Sequence, residues 1–138
     1  MASIGGVGLR SRCSEAPPPG LLVGVEEFNR GDFFRCHETL EALWLAERDP
    51  IRFLYQGILQ IAVGFYHLSR HNYTGADNLL RRGMGRLKPF APRCQGVNVQ
   101  RLLDDAARCH RVLTGLGPEG VKSFDLSMLP TIEVKGDD

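Results

Sequence analysis

Residues 53–69 read FLYQGILQIAVGFYHLS and form the longest stretch of the chain without a formal charge. The stretch is too long for a strand and has no internal turn signal, so it predicts a helix. It is shorter than the roughly 20 apolar residues that a membrane-spanning helix needs. Gln56, Gln60 and His67 also interrupt it. We therefore predict that it forms the central, largely buried helix of a soluble domain.

Apolar residues recur at helical spacing on both sides of this stretch, separated by residues that begin or end helices. The boundary signals, in chain order, are Asn29-Arg30-Gly31, Asp32, Asp49-Pro50, Asn72, Thr74 and Asn98. Helix three should run from about Pro50 to about His71. The sequence thus predicts an all-α fold, a compact bundle of about five helices with helix three at its centre. Residues 21–138 should form this single helical domain.

The N-terminus and the cysteines bear on the cellular location. Residues 1–20 have no apolar segment typical of a secretory signal, and Pro17-Pro18-Pro19-Gly20 is typical of a linker. We expect these residues to be flexible; if they are a leader, it would direct the chain to a plastid or another organelle. The cysteines, at positions 13, 36, 94 and 109, match no metal-binding spacing. We expect reduced cysteines in a cytoplasmic protein.

The charge pattern contains one local imbalance. The formal net charge is only +1, which gives no overall attraction to nucleic acid or membrane. Residues 78–103 nevertheless contain no acid. The basic side chains of interest are Arg81, Arg82, Arg86, Lys88, Arg93 and Arg101. This basic patch would suit an acidic partner or RNA, although no nucleic-acid motif accompanies it. The alternative is a solvated helix face balanced by acids elsewhere; homo-oligomerisation stays open.

A set of polar residues falls on helices two and three, where a bundle normally buries apolar side chains. Its members are His37, Glu38, Glu41, Trp44, Gln56, Gln60 and His67. His37 and Glu41 are four apart, and residues at this spacing project from one side of a helix. Gln56, Gln60 and His67 share one stripe of helix three. If the two helices are antiparallel, these side chains can face each other in a polar pocket.

Three interpretations of this cluster compete. His37, Glu41 and His67 could ligate a divalent metal, the one cofactor that the residue types suggest. The pattern His-Glu-x-x-Glu matches the zinc-protease pattern His-Glu-x-x-His only in part, because Glu41 replaces the second histidine. The same residues could instead serve acid–base catalysis on a small polar substrate. The third interpretation is a structural hydrogen-bond network that fixes helix register.

We favour a binding or interaction module with a buried cluster of His37, Glu41, Gln60 and His67 over an enzyme. No side chain with the properties of a nucleophile accompanies the cluster, because Cys36 and His37, adjacent on a helix, point about 100° apart. A metal-dependent or acid–base enzyme is the first alternative. A scaffold that docks an acidic partner or RNA through the basic patch is the second.

Four motifs occur in a fixed order. Residues 28–34 read FNRGDFF, residues 37–44 read HETLEALW, residues 55–62 read YQGILQIA, and residues 72–76 read NYTGA. Over about residues 25–80 the chain resembles domain-of-unknown-function family 309. The resemblance implies a small all-helical fold, with His71-Asn72 where the family pattern has Gly-Asn. It marks as signature positions His37, Glu38, Glu41, Trp44, Gln60 and His67. It implies no activity.

Overall fold

The computed structural model describes residues 8–135. The helices are α1 (Pro19–Asn29), α2 (Phe33–Ala46), α3 (Arg52–Ser69), α4 (Tyr73–Leu87) and α5 (Val99–Gly120). A short antiparallel hairpin, β1 (Arg93–Cys94) and β2 (Val97–Asn98), separates α4 from α5. The all-α fold with five helices is confirmed. Among the described residues, no helix combines the length and apolarity needed to cross a membrane.

Helix α3 lies at the centre, flanked by α2 and by α4. Glycines let α3 and α4 approach closely. A Cβ atom at Gly57 would lie 2.7 Å from Leu87 Cγ, and one at Gly64 would lie 2.9 Å from Leu80 Cγ. From α4, a Cβ at Gly83 would lie 2.8 Å from Ile61 Cδ1. Since all three glycines face the other helix, small residues set the separation of α3 and α4.

Side-chain caps fix the starts of α4 and α5. Asn98 Oδ1 accepts a 3.0 Å hydrogen bond from the backbone N–H of Arg101, as the predicted start of α5 requires. Asn72 Oδ1 likewise accepts from the N–H of Gly75 at 3.0 Å. Of the two neighbouring boundary signals, Asn72 was expected to end helix three and Thr74 to cap the next helix. The second expectation was wrong, because Asn72 is the cap and Thr74 already lies in the first turn of α4.

Residues 8–18 form an arm that lies against the domain. Cys13 is bonded to Cys94, across a sequence separation of 81 residues. Arg10 donates to the carbonyl oxygens of Ala91 and Arg93 at 2.8 and 3.2 Å. Arg12 Nη1 lies 2.9 Å from Glu47 Oε1.

This arm corrects two expectations. Over the described part, the prediction of a flexible segment at residues 1–20 was wrong, because residues 8–20 are held by the disulfide, hydrogen bonds and an ion pair. The prediction of reduced cysteines was wrong for Cys13 and Cys94 and holds for the buried Cys36 and Cys109. Residues 1–7 and 136–138 lie outside the described residues.

The C-terminal tail and α5 close the fold. The N–H of Ile132 donates to Asn29 Oδ1 at 2.7 Å, and Asn29 Nδ2 donates back to the carbonyl of Ile132 at 3.0 Å. The tail therefore packs on the end of α1.

A second contact joins α5 to α4. His110 Nε2 of α5 donates to Asp77 Oδ1 of α4 at 2.7 Å. The hydrogen bonds from His110 and Arg81 lower the pKa of the Asp77 carboxyl below its ordinary 3.8.

Two glycines of α4 provide a matched test of the close approach. Gly83→Ala should lower the free energy of unfolding by about 1–3 kcal/mol, because its Cβ would collide with α3. Gly85→Ala should raise it by up to about 1 kcal/mol, because nothing lies within 4 Å of that position and alanine favours helix. Urea unfolding measures both. Equal effects of the two substitutions would contradict the packing described here.

The Asp77–His110 contact predicts a pH dependence. A carboxyl whose pKa is lowered by folding stabilises the fold above its unfolded pKa, and this contribution is lost as the pH falls through the folded pKa. Asp77→Asn should therefore lower stability at neutral pH, and the difference from the wild type should shrink below about pH 4. Asp104→Asn, at an exposed residue of α5, is the control. A difference that stays constant in urea titrations down to about pH 3 would contradict the assignment.

Candidate functional site

The outer stripe of α3 carries the polar residues of this helix. Arg52, Gln56 and Gln60 succeed one another four residues apart, so their side chains project from one side. Gly57 and Gly64 face α4, on the side of α3 next to Gln60. Because α2 and α4 pack on either side of α3, the stripe forms the floor of a groove between them.

Four polar atoms in this region are buried and have no hydrogen-bond partner among residues 8–135. They are Trp44 Nε1, Arg52 Nε, Gln56 Oε1 and Gln60 Oε1. Burying a polar atom without a partner costs about 1–3 kcal/mol. The two indole and guanidinium nitrogens are donors, and the two amide oxygens are acceptors. The region therefore contains unpartnered donors and acceptors, and the residues that carry them are half-buried.

Aromatic rings hold two of the arginines at the groove. The guanidinium of Arg52 lies over the Trp44 ring at 4.9 Å, and that of Arg86 lies over the Phe53 ring at 4.7 Å. Arg82 and Arg86 line, together with Gln60 and Gly85, a cavity of about 480 Å³ on the α4 side. We use the name polar groove for the surface of Trp44, Arg52, Gln56, Gln60, Arg82 and Arg86.

The structure divides the predicted basic patch. Arg81, Arg93 and Arg101 are paired with acids: Asp77 at 3.1 Å, Glu133 at 3.5 Å and Asp105 at 3.8 Å. Arg82 and Arg86 have no carboxylate partner within the described residues. The solvated-face alternative therefore describes the first three arginines, and the other two belong to the polar groove.

An apolar pocket lies farther along the same stripe, toward the C-terminal end of α3. Its volume is about 210 Å³. Its walls are Phe33, Phe34, His37, Val63, Tyr66 and His67. The rings of Phe34 and Tyr66 lie 5.7 Å apart, and those of Phe34 and His37 lie 5.9 Å apart. Two predicted residues, His37 and His67, thus meet in one cavity, but among aromatic neighbours.

The predicted buried cluster is looser than expected. His37 Nε2 lies 3.9 Å from Glu41 Oε2, and 48% of the Glu41 side chain is exposed. Glu38 is also exposed. His67 contacts the Asn72 side chain at 3.2 Å instead of Glu41 or Gln60. Burial was therefore the wrong expectation for Glu41, because its side chain lies on the solvent side of α2.

The candidate metal ligands do not converge. Within residues 8–135, no group of three or more His, Cys, Asp or Glu side chains is arranged to hold a metal ion. His67 instead packs its ring at the turn before α4, where a Cβ at Gly75 would lie 2.7 Å from His67 Cγ. The position of His67 is thus explained by the α3–α4 turn and by the apolar pocket.

Sequence reasoning missed several residues of this site. Arg52 precedes Gln56 by four residues, so the spacing that revealed Gln56 and Gln60 also applied to it. The apolar character of Phe33, Phe34 and Tyr66 predicted only that these residues lie on helices. Their meeting in a pocket depends on how α2 packs on α3, and no spacing within one helix reports that packing.

Comparisons with known proteins give relatives for part of the chain. A 57-residue segment, 41% of this chain and 33% of the relative, is 42% identical to the uncharacterized protein YpuF of Bacillus subtilis (strain 168). A 73-residue segment, 52% of this chain and 22% of the relative, is 26% identical to an uncharacterized protein of Aquifex aeolicus (strain VF5). The chain thus spans a third or less of each relative.

A family model covers the helices that build the groove up to the first half of α4. It matches residues 21–79 and is described as a domain of unknown function. The matched residues include Trp44 and the whole outer stripe of α3, but not Arg82 and Arg86. The resemblance predicted from the four motifs is confirmed: residues 21–79 match the model of the family Domain of unknown function (DUF309).

Proposed function

We propose that this domain is a binding module, and that an acidic polypeptide segment lies along α3 in the polar groove, with an apolar side chain in the apolar pocket. One observation carries the proposal. Four buried polar atoms of the groove have no partner among the described residues. The four residues are half-buried, so their side chains can turn toward a ligand in the groove. A ligand that supplies those partners would then recover a desolvation cost that the free protein pays.

The chemistry of the groove favours a polypeptide. Its main chain offers N–H donors to Gln56 and Gln60, and carbonyl acceptors to Trp44 and Arg52. Acidic side chains would pair with Arg82 and Arg86, which are exposed and have no acid partner among residues 8–135. Charge-assisted bonds of this kind are stronger than neutral ones.

The apolar pocket adds an argument about the ligand's side chains. A volume of about 210 Å³ accommodates one large apolar side chain. Binding energy in interfaces concentrates on such anchors when aromatic residues surround them. The pocket lies on the same stripe of α3 as the polar groove, so one segment running along the helix can reach both. RNA, the other partner considered for the basic patch, offers no apolar side chain for this pocket.

The enzyme alternative receives less support. Acid–base chemistry at His37 and Glu41 requires a tuned contact, but the two groups lie 3.9 Å apart and Glu41 is largely exposed. A metal-dependent reaction requires ligands that converge, which His37, Glu41 and His67 do not do among the described residues.

Charge reversal tests the arginines of the groove. The probe is a synthetic peptide of about 12 residues that combines Glu and Leu, since an extended segment of that length spans up to about 40 Å and keeps its main-chain groups free to bond. Trp44, the single tryptophan of the chain, reports binding through its fluorescence. The wild type should bind the probe, and Arg82→Glu/Arg86→Glu should bind it at least about tenfold more weakly, because attraction becomes repulsion.

The control is Arg111→Glu/Lys122→Glu, which makes the same change of charge on exposed residues outside the groove. It should bind the probe like the wild type. Arg82→Glu alone keeps the test valid if the double variant does not fold, because Arg82 supports no aromatic ring. Absence of wild-type binding, or equal weakening by the two charge reversals, would refute the proposal.

Gln60 distinguishes a binding role from a structural network. Gln60→Leu should change the free energy of unfolding by less than about 1 kcal/mol, because Oε1 loses no partner. The same variant should bind the probe more weakly. Urea unfolding and the Trp44 titration measure the two effects, with Gln100→Leu on α5 as the control for an added apolar side chain. A loss of several kcal/mol with unchanged probe binding would favour the structural network instead.

A further inference from the structure

A second cavity lies beside the disulfide, away from the polar groove. Its volume is about 500 Å³, and it opens to solvent. Cys13 lines it, together with Arg10, Arg93 and Lys135. Glu15 is the one carboxylate among the lining residues that the structure describes. Because Arg93 is paired with Glu133, the lining cations without a carboxylate partner among the described residues are Arg10 and Lys135, and they share the cavity with Cys13.

The two sulfurs of this disulfide differ in access. Cys13 is partly exposed at the cavity, whereas Cys94, the second residue of β1, is fully buried. Thiol–disulfide exchange requires the attacking thiolate to reach one sulfur while the other departs. Of the two cysteines only Cys13 lines the cavity, so we take Cys13 Sγ as the sulfur that is attacked and Cys94 Sγ as the one that departs.

We propose that this cavity receives a small anionic thiol, which exchanges with the Cys13–Cys94 disulfide. Its thiolate attacks Cys13 Sγ, the S–S bond to Cys94 breaks, and Cys94 leaves as a thiolate that takes up a proton from water. A second thiolate then attacks the outer sulfur of the mixed disulfide. It releases the oxidised dimer of the small thiol and Cys13 as a thiolate, which is protonated in turn. The protein disulfide gains two electrons, and two small thiols are oxidised.

Charge selects the thiol. Arg10 donates its hydrogen bonds to neutral carbonyl oxygens, so its positive charge is not neutralised by them. The side chain of Lys135 makes no ion pair with any residue between 8 and 135. A pocket lined by cations raises the local concentration of an anion and speeds its encounter. A thiol with a net negative charge is therefore favoured over one with a net positive charge.

The other cysteines of the chain do not compete in this exchange. Cys36 and Cys109 are buried and away from the cavity. Burial, with Glu27 nearby, raises the pKa of the Cys36 thiol to about 12. Burial likewise raises the pKa of Cys109 to about 11. Thiols are nucleophilic only as thiolates, so both stay inert at neutral pH.

The exchange would act on the N-terminal arm. With the disulfide opened, residues 8–18 keep only non-covalent contacts, such as the hydrogen bonds of Arg10 and the ion pair between Arg12 and Glu47. Arg12 also lies 3.2 Å from Asp49, in the turn between α2 and α3. Small thiols would thereby control how firmly the arm is attached to the domain.

The experiment compares two thiols on the oxidised protein at low ionic strength. Reduced glutathione is the anionic probe, and cysteamine is the cationic one. Acid quenching followed by intact-mass spectrometry gives the rate at which each opens the disulfide, and peptide mapping locates the adduct. We expect a glutathione adduct on Cys13. The glutathione-to-cysteamine rate ratio should fall at least about threefold in Lys135→Glu.

The rate ratio cancels differences that affect both thiols, and Lys122→Glu is the matched control because it makes the same change outside the cavity. That variant should keep the wild-type ratio. An adduct located on Cys94, an unchanged ratio in Lys135→Glu, or free Cys13 and Cys94 in air-oxidised protein would overturn the proposal. None of these readouts depends on ligand binding in the polar groove.

Discussion

The close approach of α3 and α4 is the constraint on which the rest of this structure depends. Gly57 and Gly64 on α3, and Gly83 on α4, leave no space for a Cβ atom at the contact. Side chains of the opposite helix, such as Leu87 and Leu80, occupy that space instead. The three glycines hold α4 against one side of α3. Arg82 and Arg86 of α4 therefore lie beside the outer stripe of α3 and do not cover it. The apolar side of α3 is buried in the core, and its polar side becomes the floor of a groove.

The polar groove and the apolar pocket follow from that arrangement. A helix that is apolar on all sides would be covered on all sides, but Arg52, Gln56 and Gln60 keep one stripe of α3 open. The unpartnered atoms on this stripe cost stability in the free protein. Stacking of Arg52 on Trp44 and of Arg86 on Phe53 restrains the two guanidinium groups before any ligand arrives. Such preorganisation reduces the entropy lost on binding.

Much of the fold could be predicted from local signals, because helix periodicity and caps are encoded within a few residues. The uncharged stretch at residues 53–69 predicted the central helix, and Asn98 predicted the start of α5. Contacts between distant residues could not be predicted in this way. Cys13 and Cys94 pair across a separation of 81 residues, and no spacing pattern reports it. One stripe of α3 carries Gln56, Gln60 and His67, as their spacing predicted. The spacing could not predict which of them have hydrogen-bond partners, because that depends on which side of α2 faces the stripe. For that reason His37 meets aromatic rings and His67, and Glu41 remains in solvent.

The most direct test of this account is a nitrogen–proton correlation NMR titration of the full chain with the acidic peptide. The side-chain amide signals of Gln56 and Gln60 and the indole N–H of Trp44 report on the groove atoms themselves. The account predicts that these three signals shift together with increasing peptide, while backbone signals of the solvent-exposed side of α5 stay in place. Shifts confined to residues outside α2, α3 and α4, with the three side-chain signals unchanged, would contradict it.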